Sequence, residues 1–96
     1  MSNTTIHGQP SQFTYNNIST ATTTQVKTGE GHLWAIVINE TAAGTIKIID
    51  NTSGSSANIG TMKASIAEGT YIFNCDFSVG LRIITAGASN ITVIYR

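Results

Sequence analysis

The residues that could carry chemistry in this chain are two histidines, one cysteine and five carboxylates. His7 and His32 have no cysteine or second histidine nearby, whereas a zinc site needs about three or four ligands, usually in close pairs. Cys75 has Asp76 beside it but no adjacent base to activate a thiol nucleophile. A trio of Cys75, His32 and Glu30 is conceivable, but no local motif supports it. We therefore predict that the protein is not an enzyme and has neither a metal site nor a cofactor.

The carboxylates all lie at or near predicted turns: Glu30, Glu40, Asp50, Glu68 and Asp76. Paired carboxylates can hydrolyse glycosides, but a chain of this size has little room for a substrate cleft beside its core. The glycines at 29 and 31 are not followed by a predicted helix, so they do not form a phosphate-binding loop. Solvated charges at turns are the simpler interpretation.

Length and charge narrow the possible partners. The 96 residues include five basic and five acidic side chains, so the net charge is zero and only 10% of the residues are charged. Nucleic-acid binders normally carry a basic excess, and a polybasic membrane patch is also absent. No apolar run approaches the ~18 residues of a spanning helix. We predict neither a nucleic-acid nor a membrane partner, and the low charge gives little protection against self-association.

The expected compartment follows from the cysteine count and the first residues. A single cysteine cannot form an internal disulfide, so the fold does not depend on an oxidising environment. The opening "MSNTTIHGQP" lacks the basic and apolar regions of a signal peptide. We therefore expect synthesis in a cytoplasm.

The elements that position these residues are predicted to be β-strands. Thr and Ile dominate from Thr22 onward, and both suit a pleated sheet. Turn residues recur about every 8–12 residues, which is typical of a small sandwich or barrel. We predict one antiparallel β-sandwich at 21–96, of jelly-roll or immunoglobulin-like type. Its strands, about seven in number, are expected at 22–28, 32–40, 44–50, 57–64, 69–75, 80–86 and 90–96.

Residues 1–20 differ from the rest, because they are polar and have no clean period. We interpret them as an extended N-terminal arm that becomes ordered only against another surface. A disordered tail is the alternative. Phe13 and Tyr15 favour docking onto a neighbouring chain, since a solvated tail rarely keeps aromatic residues.

The stretch "HLWAIVIN" at 32–39 is apolar on both faces of a regular strand. Other strands also place an isoleucine among polar neighbours, for example Ile72 beside Asn74. Together these side chains could form an apolar patch of the kind found in subunit interfaces. The alternative is a central strand covered by the arm. The predicted interface consists of Trp34, Ile36, Ile38, Ile49, Ile84 and Ile94.

Four stretches occur in a characteristic order: "VKTGEGHLWAIVIN", "GTIKIIDNTSG", "GTYIFNCDFSVGLRIITAG" and "NITVIYR". In this order, the segment from Val26 to Arg96 resembles a group of small virion proteins from tailed phages and prophages. The resemblance implies a non-enzymatic structural role in a homo-oligomer, and we expect a capsid decoration protein that forms a trimer. Its partner would be the major capsid protein or another virion protein. A tail or head-fibre component and a receptor- or glycan-binding module remain alternatives.

Overall fold

The structure is a computed structural model that describes residues 12–96, and this part of the chain contains eight β-strands and no helix. The strands are β1 (Thr14–Ile18), β2 (Thr22–Thr28), β3 (Gly31–Glu40), β4 (Ile46–Asp50), β5 (Gly60–Met62), β6 (Gly69–Phe77), β7 (Gly80–Thr85) and β8 (Asn90–Tyr95). The seven predicted strands correspond to β2–β8. The segment predicted at 57–64 is a strand only at Gly60–Met62.

The strands form two antiparallel sheets of four. The first sheet has the order β1-β8-β3-β6, and the second has the order β2-β7-β4-β5. The prediction of an all-β, antiparallel, sandwich-like fold is therefore confirmed. Except for the β4–β5 hairpin, every consecutive pair of strands crosses from one sheet to the other.

Strand β1 lies within the segment predicted to be an arm. It pairs with β8 at the edge of the first sheet, and Ile18 is only 5% exposed in the core. The sequence of β1 did not show the apolar–polar alternation of a strand, because the polar Asn16 shares the inward face with Ile18 and the aromatic Tyr15 points outward. The remaining arm residues, 1–11, lie outside the described residues.

The core lies between the two sheets and is built mainly from alternate residues of regular strands. On β6, Tyr71, Phe73, Cys75 and Phe77 share the inward face, as their spacing predicts. The same holds for Leu81 and Ile83 on β7 and for Ile91, Val93 and Tyr95 on β8. Alternation places one face of each strand in the core.

Strand β3 departs from regular alternation at Trp34. Its pairing with both β8 and β6 shifts by one residue between Leu33 and Ala35. Such a bulge places two successive side chains on the same face. Leu33 and Ile36 consequently both pack in the core, whereas Trp34 and Ala35 both lie on the opposite face. Ile36 and Ile38, which a regular strand would place on a second apolar face, are therefore buried within the same chain.

The outward side of β4 is buried within the described chain at Ile49. Ile49 is fully buried but does not belong to the cluster between the sheets. Its register partner is Arg82, whose Nε donates to Gly54 O at 3.0 Å. This contact ties the loop after β4 to the outer face of the second sheet, where Ile49 lies.

Asp50, at the end of β4, fixes the turn between β6 and β7. Its Oδ2 accepts the backbone N–H of Ser78 at 2.9 Å, and its Oδ1 accepts those of Val79 at 2.8 Å and Gly80 at 3.2 Å. The Ser78 N–H is the main cause that lowers the pKa of Asp50, and partial desolvation opposes it. The carboxylate therefore links the two sheets at one end of the molecule.

Asp50→Asn is expected to lower the free energy of unfolding by about 1–2 kcal/mol near pH 7, because one amide oxygen cannot accept all these donors. Since the folded state holds the pKa of Asp50 below its ordinary value of 3.8, the stabilisation is present above that pH. It is lost as the pH falls through the lower folded-state pKa. Urea unfolding at about pH 7 and about pH 2 measures this. A difference between the two proteins that is equal at both pH values would contradict the assignment, and Glu40→Gln is the control.

Gly44 is expected to be intolerant of a side chain. A Cβ at Gly44 would lie 2.3 Å from the backbone N of Gly87, whereas a Cβ at Gly87 would lie 3.2 Å from its nearest neighbour. Gly44→Ala should therefore destabilise the protein by about 1–3 kcal/mol. Gly87→Ala should cost clearly less in the same urea titration. Equal effects would show that the two loops do not approach as closely as described.

Candidate functional site

The outer face of the first sheet, turned away from the second sheet, carries an apolar row across all four strands. Tyr15, Ile94, Ala35 and Ile72 are successive register partners from β1 to β6. Tyr15 is 70% exposed and Ile72 is 57% exposed, while Ala35 is buried between its neighbours. Side chains opposite one another on adjacent strands lie about 5 Å apart, so this apolar row is continuous.

An aromatic cluster adjoins the apolar row. The ring of Phe13 lies 5.9 Å from that of Trp34 and 6.3 Å from that of His32, centroid to centroid. The guanidinium of Arg96 lies 5.3 Å from the Phe13 centroid, a cation–π distance. Phe13 therefore packs on its own chain in this structure. Docking of Phe13 and Tyr15 onto a neighbouring chain stays a prediction, for which Tyr15 offers the more open surface.

A polar cluster, which we call the polar clamp, lies beside the aromatic residues and consists of His32, Asn74 and Asp76. Strand register brings His32 opposite Asp76, and His32 Nδ1 donates to Asp76 Oδ1 at 2.6 Å. His32 Nε2 lies 3.0 Å from Asn74 Oδ1. The His32 side chain is 14% exposed and that of Asp76 is 85% exposed. The imidazole thus sits under the two side chains that reach solvent.

The opposite end of the same face is occupied by uncharged amides. Asn17 Nδ2 donates to Asn90 Oδ1 at 2.8 Å, and Asn39 Nδ2 donates to Asn90 Oδ1 at 3.2 Å and Thr92 Oγ1 at 3.0 Å. These bonds join β1, β3 and β8. They leave the apolar row between a neutral amide network and the polar clamp.

The predicted interface residues do not form one surface. Trp34 is 37% exposed, and Ile84 and Ile94 are half-buried on the outer faces of different sheets. Ile36 and Ile38 are core residues, because the bulge at Trp34 turns them inward. Together with Ile49, which is buried on the outer side of β4, they must be removed from the interface prediction.

Ile72 is the most exposed isoleucine of the described chain; it was predicted to lie in the apolar patch but was not among the six predicted interface residues. The sequence indicated its exposure, because Ile72 lies two positions before Asn74 on the face of β6 that also carries Asp76. Its neighbours across the sheet, Tyr15 and Ala35, could not be identified without the strand order.

Nothing in the described chain assigns a function directly. Residues 12–96 contain no group of three or more His, Cys, Asp or Glu side chains placed to hold a metal ion. Within the same residues, no helix is long and apolar enough to cross a membrane. No protein-family model, curated protein or solved structure matches the chain. Function is therefore inferred from the geometry of the outer face.

Cys75 points into the core, and its thiol is not activated. Burial raises the pKa of Cys75, and the charges of Asp76 and Asp50 raise it further. We expect a thiol reagent such as Ellman's reagent to label the folded protein far more slowly than the urea-unfolded chain at about pH 8. Asp76→Asn should speed labelling of the folded protein, because removing a negative charge favours the thiolate. Equal labelling of folded and unfolded chains would contradict this placement.

Proposed function

We propose that this chain is a non-enzymatic structural protein of a phage virion, most simply a capsid decoration protein that self-associates and binds the shell. The observation that carries the proposal is the apolar row, whose end members Tyr15 and Ile72 are exposed, on a chain with no net charge. Exposed apolar patches mark interaction surfaces. The resemblance of residues 26–96 to small phage virion proteins supports the same assignment. The chain would be made in the host cytoplasm and reside in the virion.

The strand order supports a jelly roll as the topology. The pairs β1–β8, β2–β7, β3–β6 and β4–β5 are nested within one another, and they divide between two four-stranded sheets. We infer that this is the eight-stranded arrangement with two Greek keys, which occurs in viral capsid and lectin domains. Because one fold serves many functions, the topology supports the proposal without deciding it.

The outer face of the first sheet supplies part of the area that a subunit contact needs. Its four strands contain 30 residues, which at about 3.3 Å per residue and about 4.8 Å between strands cover about 480 Å². A stable interface buries roughly 800 Å² on each partner, so the contact would extend from this face onto its rim. The proposed assembly is a homo-oligomer, with a trimer expected, and it acts passively. Each additional buried contact between subunits and the shell shifts the equilibrium towards the assembled particle.

Ile72→Asp is expected to dissociate the oligomer without unfolding the chain, because it places a charge in the middle of the contact. Light scattering after size exclusion measures the mass of the full chain, and circular dichroism reports whether the strands remain. Thr61→Asp is the control, because Thr61 is exposed but lies on β5 in the second sheet. A monomeric parent protein, or an oligomer unaffected by Ile72→Asp, would overturn the proposed interface.

The virion assignment has its own test. In particles purified from the phage or prophage that encodes this chain, quantitative mass spectrometry should find it in numbers comparable to the shell protein. Electron cryomicroscopy then locates it. Density on the outer shell supports decoration, whereas density confined to the tail or to head fibres would assign the chain to those structures instead.

A further inference from the structure

The polar clamp presents two hydrogen-bonding atoms that no other described residue uses. His32 engages only Oδ1 of Asp76 and Oδ1 of Asn74. Among residues 12–96, no hydrogen bond involves Asp76 Oδ2 or Asn74 Nδ2, and both residues are exposed. The clamp therefore offers the second carboxylate oxygen of Asp76 and the outer atom of the Asn74 amide, one at each nitrogen of a single imidazole. The outer amide atom is a donor when His32 Nε2 donates to Asn74 Oδ1, and an acceptor when Nε2 accepts from the turned amide.

The backbone holds Asn74 in an unusual conformation. Asn74 has φ of 48°, and it lies on β6 where the pairing with β3 shifts by one residue. A non-glycine residue in the left-handed region is uncommon, although Asn tolerates it best. Bulges of this kind re-aim a side chain, and strain of this kind is frequent at functional sites. Here the bulge brings the Asn74 amide to the imidazole of His32.

An aromatic surface adjoins the clamp on the same outer face. Trp34 occupies the position on β3 opposite the Asn74 bulge, between the register pairs Leu33–Cys75 and Ala35–Ile72. Its side chain is 37% exposed and is steadied on one side by the ring of Phe13. The faces of aromatic rings attract C–H groups, which carry a small positive charge.

We propose that Trp34, Asn74 and Asp76 form a carbohydrate-binding site for a neutral pyranose with two adjacent hydroxyl groups. The apolar face of the sugar ring would stack on Trp34. One hydroxyl would donate to Asp76 Oδ2, and its neighbour would hydrogen-bond to the outer atom of the Asn74 amide, since a hydroxyl can both donate and accept. Because His32 and the bulge already fix both side chains, little rotamer entropy is lost on binding.

The charges around the site favour a neutral ligand. An open pocket beside the clamp is lined by His32 and by four charged residues whose charges balance, the basic Lys27 and Arg96 and the acidic Glu30 and Asp76. Arg96 is already engaged by Gln12 and by the ring of Phe13. A phosphate or another strong anion would need unbalanced positive charge, which this pocket does not supply.

The site shares the outer face of the first sheet with the proposed subunit contact. Asp76 is four residues beyond Ile72 on β6, about 13 Å along the strand, towards the end of the sheet, whereas Trp34 adjoins Ala35 of the apolar row. A second subunit that covers the whole face would compete with a sugar, so the titrations are made both on the parent protein and on the Ile72→Asp variant.

The single tryptophan of the chain makes the test direct. The full-length protein is titrated with the methyl glycosides of glucose, galactose and mannose, and with their deoxy analogues that lack one of two adjacent hydroxyls. At least one glycoside should shift Trp34 fluorescence saturably. Saturation-transfer NMR should show its ring protons in contact with the protein. The matching deoxy analogue should bind about tenfold more weakly or worse.

Two variants test whether the clamp side chains contribute to binding independently of the fold. Asn74→Gly keeps a residue that accepts positive φ but removes the amide, and Asp76→Ala removes the carboxylate. Each should weaken binding about tenfold or more. Glu40→Ala, an exposed carboxylate at the other end of β3, should leave it unchanged. The proposal is overturned if no glycoside shifts the fluorescence, if the variants of folded protein bind normally, or if only anionic sugars bind.

Discussion

The register of β3 is the constraint on which the rest of the structure depends. This strand lies between β8 and β6, so its side chains must match two neighbours at once. A shift of one residue at Trp34 satisfies both and changes the face on which the side chains as far as Ile38 lie. Ile36 and Ile38 thereby complete the core. The same shift places Trp34 on the outer face, where Asn74 lies opposite it. Core packing and the candidate site therefore share one irregularity.

The sequence predicted those parts of the fold in which each strand behaves independently. Alternation on β6, β7 and β8 identified the inward residues, because these side chains follow the period of the pleat. Alternation predicted the wrong face for Ile36, because a bulge shifts the alternation by one residue and the hydrophobic pattern does not show the bulge. Alternation failed at Ile49 because this outward side chain is buried beside Arg82, whose hydrogen bond to Gly54 O joins residues that are 28 positions apart in sequence. Strand β1 was missed because Asn16 occupies an inward position at an open edge.

The candidate site was less predictable than the fold, because it is assembled by pairing between distant strands. His32 and Asp76 are 44 residues apart in sequence, and only their register makes them neighbours. Sequence spacing instead grouped Asp76 with Cys75, whose side chain points to the other face. Trp34 was identified as a surface residue, but as part of an apolar interface. Because Asn74 and Asp76 lie beside it, we interpret Trp34 as part of a binding site instead. The hydrophobic pattern of a single strand does not show that these residues are neighbours.

The nested pairing of the strands also sets the order in which the molecule can be completed. Of the eight described strands, β1 is made before the others, yet its partner in the sheet is β8, which is made after them. Among these strands, the innermost hairpin, β4–β5, is the pair that can close locally. Folding should therefore spread outward from the middle of the chain and finish by joining its two ends, with the long loop closures that make β-sandwiches slow to fold. Until β1 has paired with β8, the free edge of β8 can also pair with β1 of another copy of the chain. Synthesis of many copies close together should therefore favour strand exchange between them.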